Sequence, residues 1–299
     1  METPVIDIIG AGAMGNVLGG LLHLSGARVR FWQRAGLRTS ETQVYISDKL
    51  VSVPPVSEEV QKGDFGFIAV KAYDLKSALK QHRDTIQGCN FAVLSNGWFW
   101  PNNYPNNLLW GMSTVGAAFD KGNRTAKMTS ATGTICWSKT KAISPVMDRL
   151  FESVSAVTIG PVVDGLYLRQ KKWLFNTVIN TVTAVFRLPS NGCVLESSSL
   201  IKTMFDEAYR LGESKIGSWQ ESREELFAEL LNLVFATTKN QNSMYRDMVK
   251  GRKTESSYLA GIVLKDPRHR STYPYLYWFA SKLEARDSSL AQKSVGFSM

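Results

Sequence analysis

Six residues near the start of the chain, Gly10-Ala11-Gly12-Ala13-Met14-Gly15, constrain its fold more than any other stretch. A G-x-G-x-x-G string alone is a weak signal, so its surroundings decide its meaning. Val5-Ile6-Asp7-Ile8-Ile9 before it is a short β-rich run, residues from Gly15 to Ser25 have helical character, and Ala27 to Trp32 reads as a second strand. In a strand–loop–helix–strand frame the first glycine makes a tight turn. The second lets backbone approach a pyrophosphate, and the third lets helix and strand pack closely. The N–H groups and positive dipole end of the helix then face the phosphates.

The pattern continues. Phe65 to Val70, Phe91 to Leu94 and Leu108 to Trp110 are apolar, strand-like runs, and Asp74 to His82 has helical spacing. Short apolar runs alternating with helices predict a parallel sheet with crossover helices. Residues 114–160, rich in Thr, Ser, Gly and β-branched residues, are expected to add antiparallel strands at the sheet edge. Composition changes near Gly160-Pro161. Beyond it, helical stretches are expected at 164–187, 197–212, 221–239, 243–250, 255–265 and 273–291, with Pro189-Ser190-Asn191-Gly192 as a turn. The expected organisation is an α/β Rossmann-type domain over residues 1–162, a mostly parallel sheet with antiparallel edge strands, and an all-α substrate-binding and catalytic domain over 163–299.

Composition removes several function classes. The 35 basic and 26 acidic residues leave a net charge of +9, but the basic residues are dispersed. That suits an anionic small substrate and offers no nucleic-acid stripe. Cys89, Cys136 and Cys193 form no C-x-x-C pair, and His23, His82 and His269 have no ligand spacing, so no metal site is expected. The apolar stretch 5–25 is preceded by Glu2, has no basic residue before Arg28, and is broken by Asp7 and Asn16. It fits neither a signal peptide nor a membrane span, and a cytoplasmic protein is expected.

The second strand speaks to which dinucleotide is held. An NAD site usually carries an acidic residue about 20 positions after the glycines, bonded to the ribose 2′-OH. Here no acidic residue lies between Gly15 and Glu41. Arg34 stands just past the strand, with Arg30 within it and Arg38 beyond. A guanidinium there suits a 2′-phosphate, so NADPH is expected, with Arg34 as its contact. Lys71 and Asn96 follow two further strands at their carboxyl ends, where such sheets place ligands.

In the second half, one strongly apolar helical stretch carries Lys172, Asn176, Asn180 and Thr183 at i, i+4, i+8 and i+11. These share one face. Asn and Thr are poor helix formers, so the stripe reads as a polar lining rather than a solvent side. A second polar face holds Asn240, Ser243 and Asp247, with Glu255 shortly after.

Taken together, these pieces resemble the ketopantoate reductase (2-dehydropantoate 2-reductase) family, nearly end to end. The resemblance rests on Gly10 to Gly15, Val70-Lys71-Ala72, Asn96-Gly97, Lys172-x-x-x-Asn176-x-x-x-Asn180, Asn242-Ser243-Met244-Tyr245-Arg246-Asp247 and Thr254-Glu255. It implies NADPH-dependent reduction of 2-dehydropantoate to (R)-pantoate, in pantothenate and coenzyme A synthesis. Lys172 is implied as general acid, and Glu255 as the carboxylate that holds the assembly near cofactor and substrate. Asn176, Asn180, Asn191 and Ser243 are implied to bind substrate with Lys172, and Asn240, from the second polar face, is expected to join them. Lys71, Asn96 and Ala117 are implied to touch the cofactor, and Asn96 the substrate as well. Family members occur as monomers and homodimers.

Two departures stand out. The family's N-G-x-G loop reads Asn96-Gly97-Trp98-Phe99-Trp100-Pro101, without the second glycine or the glutamate that follows it. Its E-I-D reads Glu255-Ser256-Ser257. The bulky Trp98-Phe99-Trp100 segment is a candidate for reshaping the cofactor side of the site. Two other readings stay open: a reductase of another branched 2-oxo acid, and a non-catalytic NADPH-binding sensor.

Overall fold

A computed structural model describes residues 3–56, 63–120, 122–139 and 157–296. It divides the chain into two compact units. The first comprises Met1–Ser95 and Trp100–Arg169, the second Asn96–Phe99 and Gln170–Met299.

The first unit begins with β1 (Val5–Ile9), α1 (Ala13–Leu24), β2 (Arg28–Gln33) and β3 (Gly36–Leu37). A hairpin of β4 (Thr42–Ile46) and β5 (Lys49–Val53) follows, then β6 (Phe65–Ile68), α2 (Leu75–Gln81), α3 (Arg83–Ile86), β7 (Phe91–Val93) and β8 (Leu108–Ser113). β9 (Ala117–Asp120), β10 (Thr125–Met128), β11 (Gly133–Ser138) and β12 (Val157–Val162) complete its strands among the described residues.

Eight of these strands form one sheet, in the order β12-β11-β8-β7-β6-β1-β2-β3. Its centre is parallel, from β8 through β7, β6 and β1 to β2, as the buried apolar runs require. The pairs β2–β3 and β8–β11 are antiparallel, while the outermost β12 runs parallel to β11.

The rest of the 114–160 segment departs from the edge-strand expectation. β9 and β10 leave the main sheet and join a second one, β5-β4-β10-β9, and residues 140–156 lie outside the described residues. The second sheet covers α1. A Cβ on Gly19 would meet the Phe31 ring at 2.3 Å, and one on Gly20 would meet Ile46 Cδ1 at 2.8 Å. The adjacent glycines thus let α1 lie tightly between the two sheets.

The second unit is helical. Its helices are α4 (Gly165–Phe186, within this unit from Gln170), α5 (Ser198–Ile216), α6 (Arg223–Ala236), α7 (Ser243–Val249), α8 (His269–Thr272) and α9 (Pro274–Gly296). The segments 191–197, 256–258 and 260–265 are 3-10 turns. α6 opens with a full capping box between Ser222 and Glu225. α9 opens on the buried Glu207 carboxylate, which accepts from the N–H groups of Tyr275 (3.3 Å) and Leu276 (2.7 Å). Burial pushes the Glu207 carboxyl above its usual range, and those two N–H bonds work against the shift.

Candidate active site

In the glycine loop the three glycines stand for three different reasons. Gly10 has φ +105°, and a Cβ there would strike Val70 Cγ1 at 2.7 Å. A Cβ on Gly15 would lie 1.9 Å from the Gly10 carbonyl oxygen, so only glycine lets α1 start against β1. At Gly12, which is exposed, a Cβ would meet nothing within 4 Å. Packing does not demand that glycine; the open cradle beside α1's first turn, which has no side-chain cap, fits the approach of a pyrophosphate. Ala11, Ala13 and Met14 are half-buried around it.

The three arginines of the β2 region take separate roles. The β1–β2 register sets Arg30 opposite Asp7, and the buried Arg30 guanidinium donates to both Asp7 carboxylate oxygens, at 2.7 and 2.9 Å. Trp32 Nε1 adds a third donor to Asp7 at 2.8 Å. Arg34 projects into water and donates to Asp74 Oδ1 at 2.7 Å. Arg38 is half-buried and reaches back to Asn16 on α1, at 3.3 Å. Lys71, half-buried, lies past the end of β6 in the turn that leads to Ala72. Ala117 opens β9 in the four-stranded sheet and packs against the core that includes α1.

The second unit gathers the chemistry-bearing residues. Lys172 Nζ donates to Asn96 Oδ1 at 2.8 Å, and Asn96 Nδ2 donates to Glu255 Oε2 at 3.3 Å. An ammonium only donates and a carboxylate only accepts, so the Asn96 amide has one sensible orientation between them. Glu255 is 5% exposed. Further along the stripe, neither Asn176 nor Asn180 has a side-chain hydrogen bond among the described residues, though Asn180 is only 6% exposed. An amide with no protein partner keeps its donors and acceptor available to a ligand.

The stripe's far end is closed by the protein itself. Asn242 Nδ2 donates to Thr183 Oγ1 (2.7 Å) and to Asn191 Oδ1 (3.0 Å), and Asn191 Nδ2 donates to Thr237 Oγ1 (3.1 Å). Both ends of the Asn191 amide are therefore engaged inside the fold. Ser243 opens α7, half-buried, with no side-chain bond among the described residues. Asn240 is exposed, and its carbonyl accepts from the Asn191 N–H at 2.9 Å.

The aromatic segment after Asn96 is interior packing of this unit. Trp98 and Phe99 are buried, whereas Trp100 is exposed. Trp98 meets Trp173 edge-on with ring centres 4.8 Å apart, and Phe99 lies on Tyr258 at 5.3 Å. The Trp98 N–H donates to the Tyr258 carbonyl at 2.8 Å. Gly97, at φ +101°, passes so close to Tyr258 that a Cβ would sit 2.5 Å from its side chain. The bulky residues fasten Asn96 in place.

Two supports escaped sequence reasoning. Arg169, buried on α4, donates to the carbonyls of Val93 (3.1 Å), Gly111 (2.5 Å) and Ser95, with its guanidinium 5.3 Å from the Trp110 ring centre. It ties together the carboxyl ends of β7 and β8. Asp287 on α9 accepts from Thr254 N (3.0 Å), Thr254 Oγ1 (2.6 Å) and Ser256 Oγ (3.5 Å), and so pins the two neighbours of Glu255. Arg169 carries no local signal, because its partners are backbone carbonyls; Asp287 lies 33 positions from Thr254. Among the described residues no group of three or more His, Cys, Asp or Glu is arranged to hold a metal, and no helix is long and apolar enough to cross a membrane.

Comparison with known proteins places these features in one family. Residues 6–139 match the family described as ketopantoate reductase PanE/ApbA, and residues 166–276 match its C-terminal domain. A 2-dehydropantoate 2-reductase of Archaeoglobus fulgidus is 24% identical over 291 residues, covering 89% of this chain and 91% of its own length. One of Vibrio cholerae is 24% identical over 289 residues, covering 87% and 90%. A Bacillus subtilis structure titled a probable 2-dehydropantoate 2-reductase superposes with TM-score 0.75 at 22% identity, over 94% of this chain and 99% of its own. A D-mandelate dehydrogenase with NADH and anilino(oxo)acetate shares the fold equally well, with TM-score 0.77 at 21% identity over 96% and 99%. The glycine cradle, the Lys172–Asn96–Glu255 chain and the two matched domains lead to one conclusion: this chain belongs to the ketopantoate reductase family.

Proposed function

We propose that this protein is an NADPH-dependent reductase of a 2-oxo acid, with 2-dehydropantoate as substrate and (R)-pantoate as product. The observation that supports it most is the line from Lys172 through Asn96 to Glu255, continued by the unbonded amides of Asn176 and Asn180. A sensor that only bound NADPH would need none of these groups.

The chemistry follows from the residue types. When bound, NADPH would supply the hydride for the C2 carbonyl carbon, itself becoming NADP+. As the C=O π bond opens, the oxygen takes on negative charge, and Lys172 Nζ stabilises it and delivers the proton that completes the hydroxyl. Asn96 holds the ammonium through its Oδ1, and Glu255 holds Asn96 through its Nδ2, so the proton donor is oriented before substrate arrives. Asn176, Asn180 and Ser243 take the substrate's hydroxyl and carboxylate groups. Asn191 acts from behind, fastening the end of the stripe, and the exposed Asn240 stands at the margin. Gly10 to Gly15 would hold the cofactor's phosphates, Lys71 and Ala117 would lie beside it, and an arginine of the β2 region would meet its 2′-phosphate.

The related D-mandelate dehydrogenase structure makes substrate and cofactor choice a direct question. The test is NADPH and NADH oxidation at 340 nm (the NADPH absorbance band) with 2-dehydropantoate, other branched 2-oxo acids and an aromatic 2-oxo acid. The expected result is turnover with NADPH, highest on 2-dehydropantoate. A clear preference for another acid would move the reading to that acid. NADPH binding without turnover on any 2-oxo acid would favour the sensor. Gel filtration distinguishes the monomer from the homodimer.

A further inference from the structure

Arg38 lies between β3 and β4, half-buried, with its backbone N–H bonded to the Phe31 carbonyl at 2.8 Å. Its guanidinium donates to Asn16 Oδ1 and to Ser40 Oγ, each at 3.3 Å. Asn16 is fully buried in α1, and its Nδ2 donates to the Ala11 carbonyl in the glycine loop at 3.1 Å. A side-chain chain of two links therefore holds the Arg38 charge against the turn that opens α1.

No carboxylate is bonded to that charge among the described residues. Its charged neighbour is another cation, Arg124, in the connection between β9 and β10. Burial, and then Arg124, pull the Arg38 guanidinium below the usual arginine range. The four-stranded sheet brings the two together, since β10 pairs with β4. Arg34 is in the opposite condition: its side chain is 82% exposed, and Asp74 already meets its charge. Two neighbouring guanidiniums without a carboxylate are an unfavourable arrangement in the protein alone, and an anion with several oxygens relieves it. Arg38 comes back alongside β2, level with Phe31, and is joined through Asn16 to the glycine loop, near the strand end where a Rossmann unit holds the adenosine ribose.

We infer that Arg38, with Arg124 beside it, grips the ribose 2′-phosphate, so that the choice of NADPH over NADH rests on Arg38 more than on Arg34. This rests on the reading that the loop Gly10 to Gly15 holds a nicotinamide dinucleotide.

The test compares wild type, Arg38→Gln, Arg34→Gln and Arg124→Gln, titrated with NADPH, NADH, adenosine 2′,5′-bisphosphate and AMP. Arg38→Gln is expected to weaken NADPH and the bisphosphate by about tenfold or more, the scale of one lost charge-assisted bond, and to leave NADH and AMP unchanged. Arg124→Gln is expected to weaken NADPH less, and Arg34→Gln least. Equal weakening of NADPH and NADH by Arg38→Gln would show a structural role through Asn16 and overturn the assignment. So would an unchanged preference, or one lost only in Arg34→Gln. If Arg38→Gln fails to fold, Arg38→Lys and Arg124→Gln carry the same comparison. If the wild type binds neither dinucleotide, the underlying reading fails and takes this assignment with it. If it binds NADPH well and Arg38→Gln does too, only this assignment fails.

Discussion

The glycine loop and the α4 stripe present polar groups to a ligand in opposite ways. The loop does so by omitting side chains: Gly12 leaves open space, and the N–H groups of α1 face it. Its three glycines lie within six consecutive residues. The stripe does so by assembling side chains from far apart. Asn96 stands 76 positions from Lys172 and 159 from Glu255, and Asn242 closes the other end across 59 positions. A local device is written in one stretch of sequence and depends on backbone conformation. A dispersed device depends on the parts that fasten each member.

That contrast predicts which substitutions separate binding from chemistry. The largest effect belongs to Lys172→Ala. Turnover should fall by about 10²–10⁴-fold, the usual share of a positioned proton donor, while NADPH affinity stays near wild type. Near-normal turnover in steady-state kinetics would remove the general-acid role.

Next come the glycines. Gly15→Ala forces a Cβ onto the Gly10 carbonyl and should cost about 1–3 kcal/mol, read as a lowered Tm. Gly12→Ala meets open space and should keep Tm while weakening NADPH, because the methyl group fills the cradle. Thermal melts with and without NADPH distinguish the two. If both variants lost Tm equally, the cradle interpretation of Gly12 would fail.

Asp287→Asn is expected to act on the stripe from a distance. It replaces an acceptor of Thr254 and Ser256, loosens the turn carrying Glu255, and should lower kcat by roughly tenfold, the lower end for an outer-shell partner. NADPH affinity should hold. A change in Tm alone, with kcat intact, would mark Asp287 as purely structural.

The smallest effect is in stability against pH. Burial lowers the pKa of His82 below 6.5 in the folded state. The unfolded chain then binds more protons as pH falls through 6.5, so stability contributed by neutral His82 is present above that value and declines below it. Tm measured from about pH 7.5 down to 5.5 should fall more steeply in wild type than in His82→Gln.

The parallel centre of the main sheet and the long helices of the second unit were legible because their apolar periods are strong. The second sheet was not. Its β4–β5 hairpin turns on Ser47 and Asp48, both at positive φ (48° and 63°), positions usually marked by Asn-Gly or Gly-Gly. Without that cue, the short alternation in Thr42–Ile46 does not mark a hairpin in the sequence. Arg124 is illegible for the same reason, since only the second sheet brings it toward Arg38. On α4, the periodic spacing of Lys172, Asn176 and Asn180 exposed the stripe. It left unread that Asn191 is held at both ends, or that Trp98 and Phe99 are interior packing. Those facts are contacts across long separations, which no local pattern records.

The central claim is that Lys172 and Asn96 work as one unit. A double-mutant cycle in kcat/KM on the best 2-oxo acid tests it most directly, using Lys172→Ala, Asn96→Ala and the pair. The expected result is strong non-additivity, with the double variant little worse than Lys172→Ala, because Asn96 acts through the ammonium it orients. Losses that simply multiply would contradict the account.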